Sequence, residues 1–450
     1  MVARSVEKKV RILRAVIRDQ PGQLGRLAQL IGDVGASIGD IVKVRAAGEY
    51  NVREIEIYYD DEEQLEVLKR EIGRAEGIEL EQIFDPVLEI HRGGKIRMRS
   101  IVSVDSLSDL RKIYTPGVAT TCLEIQAHPE RVRDYTSLGH TVGIVTNGTA
   151  ILGLGNIGVH AGLPVMEGKA VLLDKLVGLS GVPILIPTRD TERFIETVIQ
   201  ISPSFGAINL EDIAAPECFE IESRLAAELP IPVMHDDQHG TGVVVLAALL
   251  NAMREIDARL ELMVVGIIGL GAAGMGIAKL LRAYGVKGLV GSDTNPEALR
   301  RLERLGGESL RLERVMEESQ VVIATTGRPG LISPELVRKD QILLALSNPS
   351  PEIEPQVARE AGARFAADGR SLNNALGFPG IFRGALQARA RRINDAMKVA
   401  AAEAIAEFAE PGELVPSLLS VDVHHAVSDA VEQAARESGA TSAEPDAEPA

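Results

Sequence analysis

Two acidic pairs lie close together in the middle of this 450-residue chain. Glu211 and Asp212 end the sequence Asn-Leu-Glu-Asp, and Asp236 and Asp237 stand in His-Asp-Asp-Gln-His. Carboxylate oxygens are hard ligands, which suit Mg²⁺ or Mn²⁺ better than soft metals. Two unneutralised carboxylates about 4 Å apart would repel by roughly 4 kcal/mol at an effective dielectric constant of 20. If the fold brings these acids together, a cation, a proton or basic partners must neutralise them.

The residues alone leave a second interpretation of these acids open. Glu211 and Asp212 precede a helix candidate, and acids at a helix N-terminus interact favourably with the helix dipole without any metal. The neighbouring His235 and His239 are more typical of packing or supporting contacts than of metal ligation. A metal site and ordinary helix-terminal charge are both compatible with this spacing.

A glycine-rich loop follows the acids. It comprises Gly269, Gly271, Ala272, Ala273 and Gly274. The loop follows an apolar strand predicted at 262–268 and opens a helix, and Asp293 lies about 20 residues further on at a strand end. Such a loop brings a pyrophosphate to a helix N-terminus, and the acid could accept hydrogen bonds from the adenosine ribose. The pattern predicts a nicotinamide dinucleotide site that favours NAD, with NADP possible.

A second match to the same glycine spacing occurs earlier, at Gly153, Gly155 and Gly158. Gly162 and Pro164 are expected to interrupt the helix that should follow such a loop. We therefore predict that this segment is a loop on the substrate side and not a second dinucleotide site.

Two further side chains could supply acid–base chemistry. Burial of Lys169 beside a metal would lower its pKa from about 10.4 toward the value of about 7 to 8 that a general base needs. A lysine in the first turn of an amphipathic helix, however, is more often solvated. Tyr114 is equally ambiguous, since a tyrosine in a turn usually packs its ring and exposes its hydroxyl.

Composition narrows the class of protein. The net charge of −16 disfavours nucleic acid and anionic membranes as partners. Trp is absent and aromatic residues make up only 3% of the chain, so a core of Val, Ile, Leu and Ala is expected. Cys122 and Cys218 both lie in apolar sequence, which favours buried free thiols over a disulfide and excludes cysteine-ligated zinc. Without a signal-type segment or a run of transmembrane length, we expect a cytoplasmic protein.

Residues 1–86 predict a compact ferredoxin-like unit with the element order βαββαβ. This segment resembles an ACT domain, through Asp19-Gln-Pro-Gly-Gln-Leu and Gly35-Ala-Ser-Ile. The resemblance implies a regulatory domain that pairs through its sheet and binds an amino acid near the first strand–helix loop. A ferredoxin-like dimerisation module without a ligand is the alternative.

The remaining segments alternate strands with helices, which predicts parallel sheets and an α/β fold class. Residues 87–100 are expected to form a linker and 437–450 a disordered tail. Between them we predict an α/β substrate and metal domain over 101–238, and a Rossmann-type NAD(P)-binding domain with C-terminal helices over 239–436.

From about residue 100 to 436 the chain resembles the bacterial form of the malic enzyme family. The matching motifs are Tyr114-Thr-Pro-Gly-Val-Ala, Asn147-Gly-Thr-Ala-Ile-Leu-Gly-Leu-Gly-Asn, Pro164-Val-Met-Glu-Gly-Lys-Ala, Asn209-Leu-Glu-Asp-Ile-Ala-Ala-Pro-Glu-Cys-Phe, His235-Asp-Asp-Gln-His-Gly-Thr, Ser347-Asn-Pro and Asn373-Asn-Ala-Leu-Gly-Phe-Pro-Gly. Two features depart from the family pattern. Gly369-Arg-Ser-Leu runs directly into Asn373, and the turn Thr-Asn-Pro after Asp293 leaves the cofactor preference open.

The resemblance implies oxidative decarboxylation of malate to pyruvate and CO₂ with reduction of NAD or NADP, dependent on Mg²⁺ or Mn²⁺. It assigns the general acid to Tyr114, the general base to Lys169 and a supporting acid to Asp236. The implied metal ligands are Glu211, Asp212 and Asp237. Asn348 and Asn374 match residues near the substrate and the nicotinamide.

Two rival functions remain at this point. A malolactic enzyme would use the same site but retain the reduced cofactor and release lactate. A non-catalytic protein could sense an amino acid through its N-terminal unit. An enzyme modulated by an amino acid combines both ideas, and we expect it to form a homodimer or a higher homo-oligomer.

Overall fold

The computed structural model describes residues 8–441, which fold into two compact units that divide between Arg97 and Met98. The elements of the first unit are β1 Lys9–Arg18, α1 Gln23–Asp33, β2 Ser37–Ala47, β3 Tyr50–Tyr59, α2 Glu62–Arg74, β4 Ile78–Phe84 and α3 Pro86–His91. The predicted βαββαβ order is confirmed.

The first unit is an antiparallel sheet packed against two helices. The strand order is β2-β3-β1-β4. Alternate residues of β1, among them Leu13 and Ile17, share a core with Leu27 of α1 and Leu68 of α2. The start of α2 is fixed because the Asp61 carboxylate accepts a hydrogen bond from the N–H of Gln64, an N-terminal cap.

Residues 87–100, expected to be a linker, begin inside helix α3. The Asp85 carboxylate accepts hydrogen bonds from the N–H groups of Val87 and Leu88, and Pro86 occupies the first helical position. Arg11 of β1 binds the same carboxylate at 2.9 Å. The segment therefore starts as an ordered part of the first unit.

The second unit opens with α4 Leu107–Ile113, α5 Val118–Ala127 and α6 Val132–Tyr135. Its first sheet contains β5 Thr141–Thr146, β6 Ser180–Leu185, β7 Ala207–Leu210 and β8 Val233–His235, with helices α7 Val159–Val177, α8 Thr191–Ile201 and α9 Glu217–Glu228. The sheet is parallel, as predicted, in the order β6-β5-β7-β8.

The second sheet of this unit is also parallel and has six strands. Its elements are α10 Asp236–Glu255, β9 Val264–Ile268, α11 Ala272–Tyr284, β10 Gly288–Ser292, α12 Pro296–Arg304, β11 Glu308–Ser309, α13 Leu312–Glu318, β12 Val321–Ala324, β13 Ile342–Ala345, α14 Pro355–Glu360 and β14 Phe365–Asp368. The order β11-β10-β9-β12-β13-β14 is that of a doubly wound dinucleotide-binding sheet.

Helix α10 joins the two sheets of the second unit. The predicted domain boundary at 238–239 falls within its first turn, because the acidic pair begins the helix and does not precede it. The helix is buried along most of its length and packs against α11. The surrounding core is aliphatic, as the composition predicts.

Three helices close the chain: α15 Phe378–Gln387, α16 Asp395–Glu407 and α17 Val421–Glu437. The expected tail overlaps ordered structure, since α17 includes Glu437 and Thr441 pairs with Ala390. The N–H of Arg391 also donates to the carbonyl of Ala440. The expected tail is therefore wrong for 437–441, and residues 442–450 lie outside the described part of the chain.

Two sequence expectations about α5 and α7 are wrong. Cys122, expected to be buried, is exposed on α5, which buries none of its own residues, whereas Cys218 is buried. Pro164 lies inside α7 and does not end it. No helix among residues 8–441 is long and apolar enough to cross a membrane.

Candidate functional site

The two acidic pairs meet at one edge of the first sheet of the second unit. Glu211 and Asp212 follow β7, while Asp236 and Asp237 follow β8 as the first turn of α10. Strands β7 and β8 are parallel neighbours, with Leu210 opposite His235. Because the carboxyl ends of parallel strands lie at the same edge, the topology brings the pairs together.

Three of these acids form a compact group. Glu211, Asp212 and Asp237 each offer a carboxylate oxygen, and these oxygens lie within 4.8 Å of one another. The Asp237 carboxylate also accepts a hydrogen bond from the N–H of Asp212 at 3.0 Å. Asp212 has φ of 53°, a left-handed conformation that aspartate tolerates better than most residues and that is common at functional sites.

This group fits a divalent cation. Buried oxygens of Asp212, Asp236 and Asn209 have no hydrogen-bond partner among the described residues. Burial, reinforced by the neighbouring negative charges, raises the pKa of Glu211 to about 7 and that of Asp212 to about 8. A hard cation would stabilise the ionised form of these acids and would bind oxygens that lack hydrogen-bond partners.

Lys169 faces the acids from the middle of α7. Its amine contacts the carboxylate of Asp236 and lies 3.1 Å from that of Glu211. It also lies 4.5 Å from the centre of the Phe378 ring. Burial alone would lower the pKa of Lys169, but the negative charges of Asp236 and Glu211 outweigh it and raise the pKa above its usual range. The lowered pKa was predicted for a lysine beside a metal, and it stays a prediction.

Asp236 connects Lys169 to the helices of the second sheet. It is completely buried, and a Cβ atom at Gly240 would collide with its carboxylate. The same Cβ position lies 3.2 Å from the side chain of Asn374. A glycine at 240 thus allows Asp236 and Asn374 to approach one another.

Tyr114, unlike Lys169 and Asp236, is not buried. It follows the last residue of α4, and 67% of its surface is exposed. Other exposed apolar side chains surround it in sequence, including Ile101, Leu107 and Leu123. The family resemblance assigns Tyr114 to the site, and its position in this structure does not.

The predicted glycine loop joins β9 to α11. A Cβ atom at Gly274 would collide with the carbonyl of Gly269, and Gly269 has φ of 93°, so both positions require glycine. At Gly271 nothing lies within 4 Å of the Cβ position, which leaves space for a phosphate to approach the helix N-terminus. The loop lies where the strand order reverses between β9 and β12, the usual place for a dinucleotide.

Asp293 follows β10 and borders this loop. Its carboxylate accepts hydrogen bonds from the N–H of Leu270 at 2.6 Å and from the N–H of Asn295 at 2.7 Å. The acid is therefore held beside the loop by main-chain donors. A carboxylate in this position can accept from a ribose hydroxyl and repels a phosphate at the same place.

A buried glutamate that the sequence did not identify organises the neighbouring loops. Glu352 is completely buried and accepts hydrogen bonds from the N–H and hydroxyl of Thr326 and from the hydroxyl of Ser347. These residues follow β12 and β13, and Ser347 precedes Asn348. The only available signal was a glutamate between prolines in Pro-Glu-Ile-Glu-Pro, which does not reveal partners 5 and 26 residues away.

The loop predicted to lie on the substrate side lines a cavity of about 360 Å³. Residues 156–161, Asn147, Thr149 and 187–189 surround it. The hydroxyl of Thr149 accepts a hydrogen bond from the N–H of Ala214, close to the acidic pair in the chain. The cavity thus opens at the same sheet edge as the acids.

Comparisons with known proteins agree with this architecture. The sequence model of the malic enzyme N-terminal domain matches residues 94–191 and 186–226. The model of the malic enzyme NAD binding domain matches residues 238–302 and 366–436. The second unit therefore combines these two α/β domains.

Several relatives are similar over most of their length. NAD-dependent malic enzyme 1 of Bacillus subtilis (strain 168) is 53% identical over 428 residues, which cover 95% of this chain and 98% of the relative. NAD-dependent malic enzyme of Geobacillus stearothermophilus is 41% identical over 439 residues, which cover 92% of this chain and 91% of the relative. The crystal structure of malic enzyme from Pyrococcus horikoshii matches 80% of this chain and 92% of its own, with 40% identity and a TM-score of 0.75.

Proposed function

This chain belongs to the malic enzyme family, and we propose that it oxidatively decarboxylates (S)-malate to pyruvate and CO₂ with reduction of NAD. The observation that supports this most directly is the group of Glu211, Asp212 and Asp237, which lies beside a dinucleotide-type sheet and in which Glu211 contacts Lys169. NAD-dependent malic enzyme 1 of Bacillus subtilis, which is 53% identical over 95% of this chain, supports this function over the malolactic alternative.

Two groups supply chemistry that the chain lacks. When bound, NAD accepts the hydride from C2 of malate, and a Mg²⁺ or Mn²⁺ ion acts as a Lewis acid toward the oxygens of the substrate. The chain would hold the metal through Glu211, Asp212 and Asp237. The loop 269–274 and Asp293 would hold the dinucleotide, and NAD is favoured over NADP because Asp293 lies where a 2′-phosphate would be repelled.

We assign the uptake of the proton from the 2-hydroxyl group to Lys169. Its amine is fixed by Asp236 and Glu211, and a base must be neutral before it can accept a proton. The charges of Asp236 and Glu211 raise the pKa of Lys169, so a cation that neutralises these acids would favour the neutral amine. Asp236 orients the amine and stabilises its protonated form after the transfer.

The second half of the reaction needs a proton donor at C3. When CO₂ leaves, the electron pair of the broken bond moves onto the carbon skeleton as an enolate, and protonation of C3 gives pyruvate. We assign this proton to the hydroxyl of Tyr114. Asn348 and Asn374 are assigned to contacts with the substrate and, for Asn348, with the nicotinamide.

For the first unit we propose an ACT-like regulatory function with an amino acid as effector. The turn between β1 and α1 supports this, because Gly22 opens it with φ of 89° and two buried atoms beside it, Nε of Arg18 and Oε1 of Gln23, lack partners among the described residues. An amino acid carries both charged and hydrogen-bonding groups that could satisfy them.

We also propose that the enzyme is a homo-oligomer, at least a dimer, in the cytoplasm. Several apolar side chains between residues 98 and 123 are more than half exposed, such as Met98 and Ile101 at 94% each. Exposed apolar patches of this kind usually mark protein interfaces. Light scattering after gel filtration tests this, and a mass of one chain would contradict it.

The experiment that tests the proposed function at the site is the substitution Lys169→Ala. We expect malate turnover to fall by at least about 10²-fold, typical for loss of a general base, while NAD binding stays unchanged. The matched control is Lys175→Ala, which removes an exposed lysine from the same helix. An unchanged kcat for Lys169→Ala would contradict the assignment.

A further inference from the structure

A mostly buried carboxylate on α9 faces the first turn of α10. The side chain of Glu222 is 13% exposed. It accepts a hydrogen bond from the N–H of His235 at 2.8 Å and from the amide of Gln238 at 3.2 Å. The Nε2 atom of His239 lies 3.0 Å from its Oε2 atom. One carboxylate thus binds three residues of a single helical turn.

These three partners flank the acidic pair. His235 directly precedes Asp236, and Gln238 directly follows Asp237. No side chain caps the N-terminus of α10 locally, because the residue at that position is His235. The N–H groups at a helix start need acceptors, and Glu222 supplies one from a different helix. The orientation of the whole turn therefore depends on α9.

The turn must satisfy two separate contacts. Asp236 has to reach the amine of Lys169, while Asp237 has to reach Asp212 and Glu211. Adjacent residues of a helix point in directions about 100° apart, so a small rotation of the turn would disturb both. A carboxylate bound at three points resists that rotation better than a single hydrogen bond.

We propose that Glu222 is a positioning residue for the metal site. It touches none of the three proposed ligands, but it fixes the turn that presents Asp237 to the ion. The proposal rests on the proposed function, because that function supplies the divalent cation. Partners that orient metal ligands typically change metal affinity by about 10- to 100-fold when they are replaced.

The test is the substitution Glu222→Gln, with Mn²⁺ affinity measured from the free-ion signal in electron paramagnetic resonance. The amide matches the carboxylate in size but carries an NH₂ group that cannot accept the hydrogen bonds. We expect the Kd for Mn²⁺ to rise about 10-fold or more, kcat to recover at saturating Mn²⁺, and the Kd for NAD to stay within about twofold. The control is Glu228→Gln, at an exposed position near the end of the same helix.

Two results would overturn the proposal: an unchanged Kd for Mn²⁺, or an equal loss of NAD and Mn²⁺ affinity, which would indicate general disruption. If Glu222→Gln does not fold, Gln238→Leu and His239→Leu each remove one partner and should weaken Mn²⁺ binding by smaller factors. Unchanged affinity in both variants would again overturn the proposal.

If the unmodified enzyme binds no Mn²⁺, the proposed function fails as well. If it binds Mn²⁺ and oxidises malate while Glu222→Gln matches it, only the role of Glu222 is wrong.

Discussion

At the scale of single residues, the protonation of the acidic cluster determines how the site responds to metal and pH. Glu211 and Asp212 have pKa values of about 7 and about 8, raised mainly by burial. The same cause raises the pKa of Asp237 to about 6. These raised pKa values favour protonated acids near neutral pH, and a bound cation would displace the protons.

The first prediction concerns the effect of pH on metal binding. Between pH 6 and 8 the acids lose their protons, so the affinity for Mn²⁺ should rise with pH and binding should release protons. Calorimetry in buffers with different ionisation enthalpies measures this release. The control is the variant Asp212→Asn, which should release fewer protons. An affinity that does not depend on pH would contradict these pKa assignments.

The second prediction concerns the stability of the metal-free enzyme. Acids whose folded pKa is raised stabilise the fold below their unfolded pKa, and this contribution is lost as pH rises through the folded pKa. For Glu211 and Asp212 that loss extends up to about pH 8. The melting temperature without metal should therefore fall between pH 6 and 8 relative to an Asp212→Asn variant, and Mn²⁺ should reverse the fall. If the melting temperatures of the two metal-free proteins change equally with pH, the prediction is refuted.

The structure brings together acids and a lysine that the sequence had singled out, but the sequence did not predict how their pKa values shift. The acids, Lys169 and the glycine loop were identified from residue type, spacing and family resemblance. The raised pKa of Lys169 was not, because it arises from Asp236, which lies 67 residues away in the chain. Glu222 and Glu352 were missed for the same reason, since their function depends on partners from other elements.

At the scale of elements, α10 carries the site and also packs the second sheet. Its first turn contains Asp236 and Asp237, and its body lies against α11. A Cβ atom at Gly276 of α11 would collide with the backbone of Gln238 in that first turn. The close approach of the two helices therefore helps to place the acids.

The third prediction tests this helix contact. Gly276→Ala should overpack the interface, lower the free energy of unfolding by about 1–3 kcal/mol and weaken Mn²⁺ binding by displacing Gln238. Calorimetric melting measures the first effect. The control is Gly73→Ala in α2, where nothing lies within 4 Å of the Cβ position and a helical alanine should stabilise by up to about 1 kcal/mol. Equal stability of Gly276→Ala and the parent protein would refute the prediction.

Element order was predictable because apolar periodicity records it, but packing altered the details. Pro164 was expected to interrupt a helix, yet α7 continues through it. Met166, Ala170 and Leu173 bury one side of this helix, and such burial can outweigh the cost of an internal proline. Local propensity therefore gave the wrong result where tertiary packing was strongest.

At the scale of the whole molecule, the chain combines a catalytic unit with a smaller N-terminal unit. Sequence predicted separate substrate and cofactor domains, and the structure joins their sheets within one compact unit through α10. No sequence pattern could show this, because the acidic pair gives no sign that it belongs to the helix that follows it. The N-terminal unit keeps its own core and the predicted element order.

The fourth prediction concerns regulation by the N-terminal unit. If an amino acid binds beside the β1–α1 turn, one member of a panel of the common amino acids should change the initial rate and raise the melting temperature. Gln23→Ala should weaken that effect, whereas Gln29→Ala, an exposed position on the same helix, should not. Flat kinetics together with no binding by calorimetry would contradict an amino acid effector.

The most direct test of the central claim is the stoichiometry of products from malate and NAD with Mn²⁺. We predict equal amounts of NADH, followed at 340 nm, and pyruvate, with activity lost when a chelator removes the metal and slower turnover with NADP. Formation of lactate without net NADH would show a malolactic enzyme instead. No consumption of malate with either cofactor would contradict the proposed function altogether.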